Sequence, residues 1–461
     1  MLRLYCCLIL LAATAHAQQH PIALTGTLVT PNEVIPNGTI LIEHGRIRDL
    51  GPHLAIPRGT TVIDTHGIIA PSLIDLHNHL TWNVFPRWKP IEEFNSRYDW
   101  QAKPVYNVLM VAPHKALVDE GLECDAERYA EVKAITQGET SLVGSGPTHD
   151  CNRGLARNLD DDPELGPNNP PKIVYNVFPF QMVDADLAAA KQVLAAHGAL
   201  LIHVAEGAPD SASAAREFTQ LKSRGLLLPG VSLIHGVALK PENFAEMKSA
   251  GVGFIWSPRS NIELYGGTAN IAAALQNGVT TALAPDWSPT GSDGLLGELQ
   301  YAAAWLTGQL PPPSTPPAPP PQPLLTDHQL FDMATVNPAT LVHLDHQLGR
   351  LEKNYAADIL VLDPHTRQPA GHPWWTLDHA SPDDVELVLI GGEPVYGDPA
   401  PMQQLLPNAP LEPLTICGAQ KLISFATEPQ PQPPFAETES RLNTALREWG
   451  RHLAPLAECG Q

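Results

Sequence analysis

The sequence predicts an α/β fold, a TIM-type (β/α)8 barrel, from three observations. Gly198, Gly230, Gly251 and Gly278 each open an apolar run of strand length and lie 32, 21 and 27 residues apart, which leaves room for one strand and one crossover helix. The runs are continuously apolar, as in parallel strands buried on both faces. Each run ends on polar or ionisable residues, and barrel active sites lie at the carboxyl ends of the strands. The last observation favours a barrel over a doubly wound sheet.

Shorter patterns place the other strands of the predicted barrel. Strands are expected at 73–77, 140–143 and 173–177, where apolar runs end beside turn or polar residues. One more strand is expected between 147 and 160, but no pattern locates it there.

Both ends of the chain are rich in strand and turn signals. Residues 22–62 alternate around turns such as Pro36-Asn37-Gly38, and similar stretches return at 357–362 and 385–395, so the two ends are expected to pair as a small β-sandwich. The expected divisions are a signal peptide at 1–17, sandwich segments at 20–66 and 349–400, a barrel at 67–348 with a proline-rich insert at 311–323, and a C-terminal tail at 401–461.

The amino terminus resembles a secretory signal. Arg3 precedes an apolar run over residues 4–13 that closes on Ala15-His16-Ala17, the pattern of a signal peptide with an A-x-A cleavage site. No later segment reaches about 18 uninterrupted apolar residues, so no membrane span is expected. The chain is therefore expected to be exported, to the periplasm or to the outside of the cell.

Composition limits the partners and the redox state. A net charge of −21 with only 28 Lys and Arg residues argues against nucleic acid or anionic lipid and leaves a small molecule as the expected ligand. A homo-oligomer is compatible with this composition. The expected disulfides join Cys124 to Cys151 and Cys417 to Cys459, because each pair lies within one region of an exported chain. Free buried thiols are the alternative.

The sharpest local motif is an apolar strand that closes on His77-Asn78-His79. Side chains at i and i+2 of a strand point to one face, so both imidazoles are expected to converge. Convergent neutral imidazoles are one half of a zinc or iron site. Alone, the motif is as well explained by chance in a chain with 19 histidines.

Other strand ends strengthen the metal hypothesis. His203 and His235 each end a predicted barrel strand, and Asp286 ends another. A single buried histidine is usually a packed core residue, but three histidine-bearing ends and one carboxylate at the same rim are hard to explain by packing. Glu206 follows His203 by three residues and is expected in the loop above the site, where a carboxylate can transfer a proton.

Seven motifs, distributed over most of the chain, resemble motifs of a known family and occur in the same order: GIIAPSLIDLHNH at 67–79, HVAE at 203–206, LIHG at 233–236, SPRSN at 257–261, APD at 284–286, ATVNPA at 334–339 and GRLEKNYAAD at 349–358. The ordered set resembles the amidohydrolase superfamily, in particular its cytosine-deaminase-like and triazine-hydrolase-like branch. This resemblance implies hydrolysis of a carbon–nitrogen bond of a small molecule, as amide cleavage or deamination.

The resemblance also implies one divalent ion, zinc or alternatively iron, held by four residues: His77, His79, His203 and Asp286. Such a ligand set leaves a position for water, whose pKa the ion lowers. Glu206 would then transfer the proton, and His235 would hydrogen-bond the developing oxyanion or the attacking hydroxide. Asp286 is expected to lie within reach of the same proton.

Other residues receive weaker interpretations. His149 is a candidate substrate contact, and Arg153 and Arg157 are candidate anion contacts, although structural or salt-bridged roles are commoner. Ser257 and Asn261 are expected to orient the metal ligands. A run of aromatic residues is expected either to pack as a loop or to form the wall of a pocket for an apolar or aromatic substrate: Trp82, Phe85, Trp88, Phe94, Tyr98 and Trp100.

Two alternatives remain at this point. A two-metal, peptidase-like or phosphotriesterase-like member of the superfamily usually carries a bridging carboxylated lysine at the end of the fourth strand. Here Lys172 begins that strand, and residues 178–181 supply no bridging ligand, so one ion is expected. A catalytically inactive binding barrel is disfavoured because all four ligands, Glu206 and His235 are present.

Overall fold

The computed structural model describes residues 21–144, 151, 155–160, 172–310, 324–363, 372–428 and 432–459. Its strands are β1 (Ile22–Val29), β2 (Val34–Glu43), β3 (Arg46–Pro52), β4 (Thr61–Pro71), β5 (Leu73–Asp75), β6 (Glu139–Leu142), β7 (Arg157–Asn158), β8 (Ile173–Asn176), β9 (Ala199–Val204), β10 (Val231–His235), β11 (Gly253–Trp256), β12 (Thr281–Leu283), β13 (Ile359–Leu362), β14 (Val385–Ile390), β15 (Glu393–Gly397), β16 (Leu411–Ile416) and β17 (Ala419–Ser424). The predicted signal peptide and the proline-rich insert lie outside the described residues.

The α-helices begin after β5 and continue into the carboxyl-terminal segment: α1 (Arg97–Gln101), α2 (Pro104–Tyr106), α3 (Ala112–Asp119), α4 (Glu123–Thr136), α5 (Asp184–Ala195), α6 (Ala212–Ser223), α7 (Pro241–Ala250), α8 (Pro258–Tyr265), α9 (Ile271–Gln276), α10 (Leu295–Leu306), α11 (Asp327–Asp332), α12 (Val336–Leu341), α13 (Pro373–His379), α14 (Pro399–Leu405) and α15 (Phe435–Glu448). Within the described ranges, no helix has both the length and the apolar character needed to cross a membrane.

Ordinary end signals set the length of the helices between the strands. The Ser211 hydroxyl accepts a hydrogen bond from the Ala214 backbone N–H and caps α6. α7 begins at Pro241, whose missing N–H costs nothing in a first turn, and it ends at Gly251 with φ 69°. That left-handed conformation suits glycine and turns the chain directly into the next strand.

The strands of both chain ends share one nine-stranded sheet, in the order β16-β17-β15-β14-β13-β4-β1-β2-β3. β4 connects the two ends, because it runs parallel to β1, with Ile63 opposite Leu24, and antiparallel to β13, with Ile69 opposite Val361. The two ends therefore pair as expected, and β16 and β17 of the predicted tail extend the same sheet. A second layer that would make this unit a sandwich stays a prediction, as do the domain boundaries.

The central strands form two parallel sheets. One has the order β12-β11-β10-β9-β8 and the other the order β5-β6-β7, with every pair parallel. Leu201, Ile234 and Ile255 belong to a fully buried apolar cluster of these strands. β7 is the strand that the sequence pattern did not locate, and its two residues are too few to show a period. The predicted α/β fold with a parallel sheet is confirmed.

The ends of the first and last central strands lie side by side. Asn78 and Asp286 form an isolated parallel bridge, and the Asp286 N–H donates to the His77 carbonyl at 3.1 Å. β12 ends at Leu283, so Asp286 lies three residues beyond its strand and not on its last position. The contact brings the segments after β5 and β12 together at one rim.

Both expected disulfides are present. Cys124 at the start of α4 is bonded to Cys151, and Cys417 in the β16–β17 turn is bonded to Cys459. The second bond fastens the carboxyl-terminal segment, whose Ala454 N–H donates to the Val84 carbonyl at 2.8 Å. The last described residues are thereby held against the loop that follows β5.

Candidate metal centre and active site

Three imidazoles converge at the carboxyl ends of β5, β9 and β10. The ring centroid of His77 lies 4.8 Å from that of His203 and 4.7 Å from that of His235, and the last two are 4.7 Å apart. All three side chains are buried. His79 joins them at 5.5 Å from His77 and 5.7 Å from His203, so the His-x-His pair converges as the sequence predicted.

The backbone turns sharply where these side chains leave the strands. Ala205, His235 and Asp286 have φ values of 56°, 69° and 72°, in the left-handed region that costs a non-glycine residue of the order of 1–3 kcal/mol. Three such residues at one rim indicate that the surrounding structure imposes the orientation of the site.

Each buried imidazole uses its Nδ1 atom for a fixed partner. His77 Nδ1 lies 2.8 Å from Ser257 Oγ, and His235 Nδ1 lies 2.9 Å from Asn261 Oδ1. His203 Nδ1 lies 3.1 Å from Glu206 Oε2. Partners on Nδ1 orient the rings and leave Nε2 for a metal, which is the usual arrangement around metal-ligating histidines. Ser257 and Asn261 thus contact two of these imidazoles, and their role in orienting metal ligands stays a prediction.

Asp286 supplies the carboxylate of the cluster. Its Oδ1 atom lies 3.1 Å from His77 Nε2 and 3.3 Å from His79 Nε2, and its Oδ2 accepts a hydrogen bond from the Ser260 hydroxyl at 2.5 Å. Burial alone would raise the pKa of Asp286, but His77 and His79 hold it well below its ordinary value. The carboxylate is therefore ionised and faces two imidazole nitrogens.

The donor set fits a divalent cation. Burial lowers the pKa of His77 to about 4 and holds the pKa of His203 well below its ordinary value, so both imidazoles are neutral, the form that binds metals. His77 Nε2 is buried and makes no hydrogen bond with any described residue. Neutral imidazole nitrogens beside an ionised carboxylate are ligands that zinc and iron accept.

Glu206 lies past the end of β9, as predicted, and both of its oxygens are held. Oε1 accepts a hydrogen bond from the Tyr265 hydroxyl at 2.6 Å. Oε2 lies 3.4 Å from Arg97 Nη1 and 3.6 Å from His235 Nε2. Burial would raise the pKa of Glu206, but His235, His203 and Arg97 hold it well below its ordinary value. Glu206 is therefore a buried, ionised carboxylate.

The segment between β5 and α4 supplies one of the groups that hold Glu206, the Arg97 side chain of α1. Ser96 forms an isolated antiparallel bridge with Gly207, and the Arg97 N–H donates to the Glu206 carbonyl at 3.3 Å. The Arg97 guanidinium is fully buried and also contacts Glu217 at 3.3 Å. Sequence reasoning missed this arginine, because nothing in its neighbourhood indicates a partner 109 residues away.

A second residue that sequence reasoning missed is Tyr175 on β8. Its hydroxyl oxygen lies 3.2 Å from His79 Nε2 and 3.1 Å from His203 Nε2. The sequence interpretation of the fourth strand concerned only Lys172 at its start and residues 178–181 at its end. A tyrosine side chain inside the strand is long enough to reach the rim. The alternation of side chains along a strand could have indicated that Tyr175 points inward, and no other sequence signal identifies it.

A cavity of about 180 Å³ opens above these groups. Its floor is formed by His79, His203, His235, Glu206 and Asp286. Its wall is mainly aromatic and is formed by Trp82, Trp100, Tyr106, Phe178 and Trp287. The Trp100 indole donates to the Tyr265 hydroxyl at 2.9 Å, and that hydroxyl donates to Glu206. The wall is thereby linked to the carboxylate.

The weaker sequence candidates have mixed outcomes. His149 and Arg153 lie outside the described residues. Arg157 forms a two-bond ion pair with Asp358, at 2.9 and 3.0 Å, away from the cavity. Of the predicted aromatic wall, Trp82 and Trp100 line the cavity. The others do not line it: Phe85, Trp88 and Phe94 are buried in the core, and Tyr98 is exposed.

Fold and site together define a class of protein: an α/β protein whose polar and ionisable residues meet at the carboxyl ends of parallel strands, around a place for a divalent ion. The model of the amidohydrolase family matches residues 175–396. A 5-methylthioadenosine/S-adenosylhomocysteine deaminase of Moorella thermoacetica is 26% identical over 410 residues, which cover 78% of this chain and 90% of that protein.

Solved structures show the same fold. Zinc-bound atrazine chlorohydrolase from Arthrobacter aurescens is 19% identical, with a TM-score of 0.64 over 81% of this chain and 95% of that chain. Zinc-bound adenosine deaminase from Xanthomonas campestris is 14% identical, with a TM-score of 0.66 over 93% of this chain and 98% of that chain. The family model, the deaminase and the solved structures confirm the resemblance to the amidohydrolase superfamily that the ordered motifs predicted.

Proposed function

We propose that the chain is a metal-dependent hydrolase that cleaves a carbon–nitrogen bond of a small molecule, by deamination or by amide hydrolysis. One observation carries the proposal: His77 and His203 turn Nδ1 to fixed partners and keep Nε2 for an ion, close to His79 and to the carboxylates of Asp286 and Glu206. The similarity to a nucleoside-type deaminase supports the same reaction class.

Under this proposal, four residues hold one divalent ion, expected to be zinc and alternatively iron: His77, His79, His203 and Asp286. When bound, the ion supplies Lewis acidity, which lowers the pKa of a water molecule towards about 7 and polarises the substrate. Zinc in two structures of the same fold supports that choice of metal.

Glu206 is proposed to accept the proton of the attacking water at Oε2. Its neighbours keep the carboxylate ionised, and the Tyr265 hydroxyl on Oε1 limits its rotation. A carboxylate of low pKa is a weak base but a strong donor once protonated, so the same atom can return the proton to the leaving nitrogen. The leaving amine departs only when its nitrogen has received this proton.

His235 is proposed to position the attacking water. Its Nδ1 faces Asn261 Oδ1, and the Asn261 amide nitrogen donates to Thr268 Oγ1 at 3.2 Å. This arrangement places a proton on Nδ1 and turns Nε2 towards Glu206 Oε2, at 3.6 Å. His235 Nε2 is therefore placed to hydrogen-bond the attacking water or the developing oxyanion beside Glu206.

The cavity supports a planar, uncharged or cationic substrate. A volume of about 180 Å³ is close to the roughly 150 Å³ that holds one benzene ring, and five aromatic side chains line it. No Lys or Arg is among its described lining residues, and Arg97 is buried behind Glu206. An amino-substituted heterocycle fits these conditions, whereas a carboxylate would meet no counter-charge in the described wall.

The finer architecture is part of the same proposal. A closed eight-stranded barrel would comprise β5 to β12, and the hydrogen-bonded contact between the segments after β5 and β12 supports its closure. A β-sandwich from the chain ends and export to the periplasm or beyond are proposed from the sequence pattern. Two disulfides support an oxidising compartment.

Elemental analysis and a substrate screen test the proposal together. Protein purified with zinc in modest excess should hold about one equivalent, and amino-heterocycles should be deaminated, with release of ammonia, faster than simple amides or lactams are hydrolysed. Removal of the metal with a chelator should abolish turnover, and zinc should restore it. A metal-loaded protein that hydrolyses no member of any of these classes would indicate a binding barrel instead.

A further inference from the structure

We call the last described segment, residues 450–459, the terminal strap. It follows α15 and lies against α4, where the Tyr129 hydroxyl donates to the Ala454 carbonyl. The second disulfide fastens Cys459 at its end. The strap is therefore held on both sides of Glu458, the residue before that cysteine.

Glu458 bridges two largely buried arginines. Its Oε2 lies 2.7 Å from Arg259 Nη1, and its Oε1 lies 3.5 Å from Arg87 Nε. The two guanidinium groups repel each other, because burial and the charge of Arg259 lower the pKa of Arg87. Among the described residues, no other carboxylate forms an ion pair with Arg259. Loss of Glu458 would therefore leave that buried charge without its counter-ion.

Arg259 belongs to the segment that supports the proposed metal ligands, residues 257–261. Its backbone N–H donates to Glu298 Oε1 at 3.0 Å, and its Nη1 lies 3.4 Å from Ser292 Oγ. Three other residues of the segment contact the imidazoles or the carboxylate of the site: Ser257, Ser260 and Asn261. Arg259 thus connects the terminal strap to the residues that orient the site.

Arg87 makes a second connection of the same kind. Its Nη2 lies 3.1 Å from Glu263 Oε1 on α8, and its Nη1 donates to the carbonyl of Gly291, in the loop that contains Asp286. Glu458 therefore contacts two cations that together reach the segments after β11 and β12.

The geometry points to Glu458 as a positioning residue of the proposed active site. Its carboxylate neutralises Arg259 and Arg87 and thereby fixes residues 257–261 and 286–291 around the ion. Neither arginine nor Glu458 is part of the described wall of the cavity, so the effect on the site is indirect. The inference rests on the proposed function, because it concerns the support of the assigned metal ligands.

Glu458→Gln tests the inference, because it removes the charge and keeps the size of the side chain. Loss of a contact that directly supports a ligand lowers metal affinity by roughly 10- to 100-fold. Glu458 acts one contact further from the ion, so zinc affinity should fall by about tenfold, near the lower end of that range. Competition with a chromophoric zinc chelator measures the change.

Hydrogen exchange gives a readout that needs neither metal nor substrate. In the zinc-free protein, the backbone amides of residues 257–265 should exchange several-fold faster in Glu458→Gln than in the wild type, because exchange reports local opening. This measurement shows directly whether the carboxylate fixes the segment.

Glu428→Gln is the matched control. Glu428 pairs with Arg128 at 2.6 and 3.1 Å, and both side chains are only 9% exposed. Neither residue forms an ion pair with the segments after β11 and β12 in the described part of the chain. This variant should melt at least as early as Glu458→Gln, yet it should keep the zinc affinity and the exchange rates of the wild type.

A double-mutant cycle with Arg259→Gln tests the route of the effect. If Glu458 acts through Arg259, the two substitutions share one interaction, and their effects should not be independent. The fold-loss of zinc affinity in the double variant should then be smaller than the product of the two single fold-losses.

The outcomes separate this inference from the proposed function. If the wild type binds one zinc ion but Glu458→Gln keeps its affinity and exchange rates, or if Glu428→Gln loses as much affinity, Glu458 is not a positioning residue and the proposed function stands. Independent losses in the cycle would also overturn the assigned route. If the wild type binds no stoichiometric zinc, the proposed function is wrong and this inference falls with it.

Discussion

The ligand side and the Glu206 side of the site are built in different ways. On the ligand side, His203 lies on β9, and His77 and Asp286 follow the ends of β5 and β12 by two and three residues, so parallel strands bring all three to one rim. On the other side, the charge of Glu206 is held by Arg97 from α1 and Tyr265 from the end of α8. The sheet therefore provides the place for the metal, and a covering loop provides the electrostatic setting for proton transfer.

This difference makes the two sides separable by mutation. A change on the ligand side should remove metal and activity together. A change on the Glu206 side should leave the metal in place and alter proton transfer alone.

The largest effect is expected from His77→Ala. The substitution removes a buried nitrogen of the ligand set. Loss of a contact that only supports a ligand lowers metal affinity by up to roughly 100-fold, so loss of the ligand itself should lower zinc affinity by more, and turnover should fall with it. Zinc content by elemental analysis and turnover at saturating substrate measure the two losses.

His66→Ala is the matched control, because His66 is an exposed histidine on β4, with 81% of its side chain accessible. It should keep both metal and activity. If His77→Ala kept wild-type zinc content and turnover, the assignment of the metal site would be wrong.

An intermediate effect is expected from Glu206→Gln. The amide keeps the shape and can still accept the Tyr265 hydrogen bond, but it cannot take up a proton at Oε2. Turnover should fall on the order of 10²-fold or more, the range for a general acid–base group, while zinc content stays near that of the wild type.

Glu217→Gln provides the comparison, because Glu217 is the other carboxylate partner of Arg97 and does not line the cavity. It should cost less than about tenfold in turnover. Equal losses in the two variants would mean that Glu206 acts through the charge balance around Arg97 and not as a proton carrier.

The ligand side was also the predictable side. The His-x-His motif after an apolar run and the single ionisable residues after later runs are local sequence patterns. Because the strands are parallel, the residues that follow them meet at one rim. The position of Asp286 beyond β12 was less well predicted, because a left-handed turn after Leu283, and not the strand itself, brings it to the rim.

The Glu206 side could not be predicted in the same way. Arg97 and Trp100 belong to the short helix α1, and Tyr265 is the last residue of α8. Their sequence neighbourhoods show no periodicity that indicates a partner. Tyr175 was overlooked for another reason: an aromatic residue inside a strand is ordinarily a core residue, and only the length of its side chain brings its oxygen to the rim.

The smallest effect, and the most specific for this comparison, is expected from Arg97→Gln. The guanidinium lies 3.4 Å from Glu206 Oε2 and 3.3 Å from Glu217 Oε1, and it is one of the groups that hold the pKa of Glu206 below its ordinary value. Glu206 must be ionised to accept a proton, so activity is lost as pH falls through its pKa. Removing the positive charge raises that pKa, and the acid limb of the rate profile should move to higher pH.

At neutral pH the loss of turnover should be about tenfold, near the lower end for a lost hydrogen bond to a charged group, with zinc content unchanged. A broken buried ion pair costs about 3–5 kcal/mol of stability, so Arg97→Gln alone does not separate a loss of charge from a loss of stability. Arg97→Lys is the control, because it keeps the positive charge but loses the forked geometry of the guanidinium. The lysine variant should lose stability yet keep its acid limb closer to that of the wild type than the glutamine variant does. If both variants melt early but share the wild-type acid limb, Arg97 stabilises the covering loop and does not set the charge of Glu206.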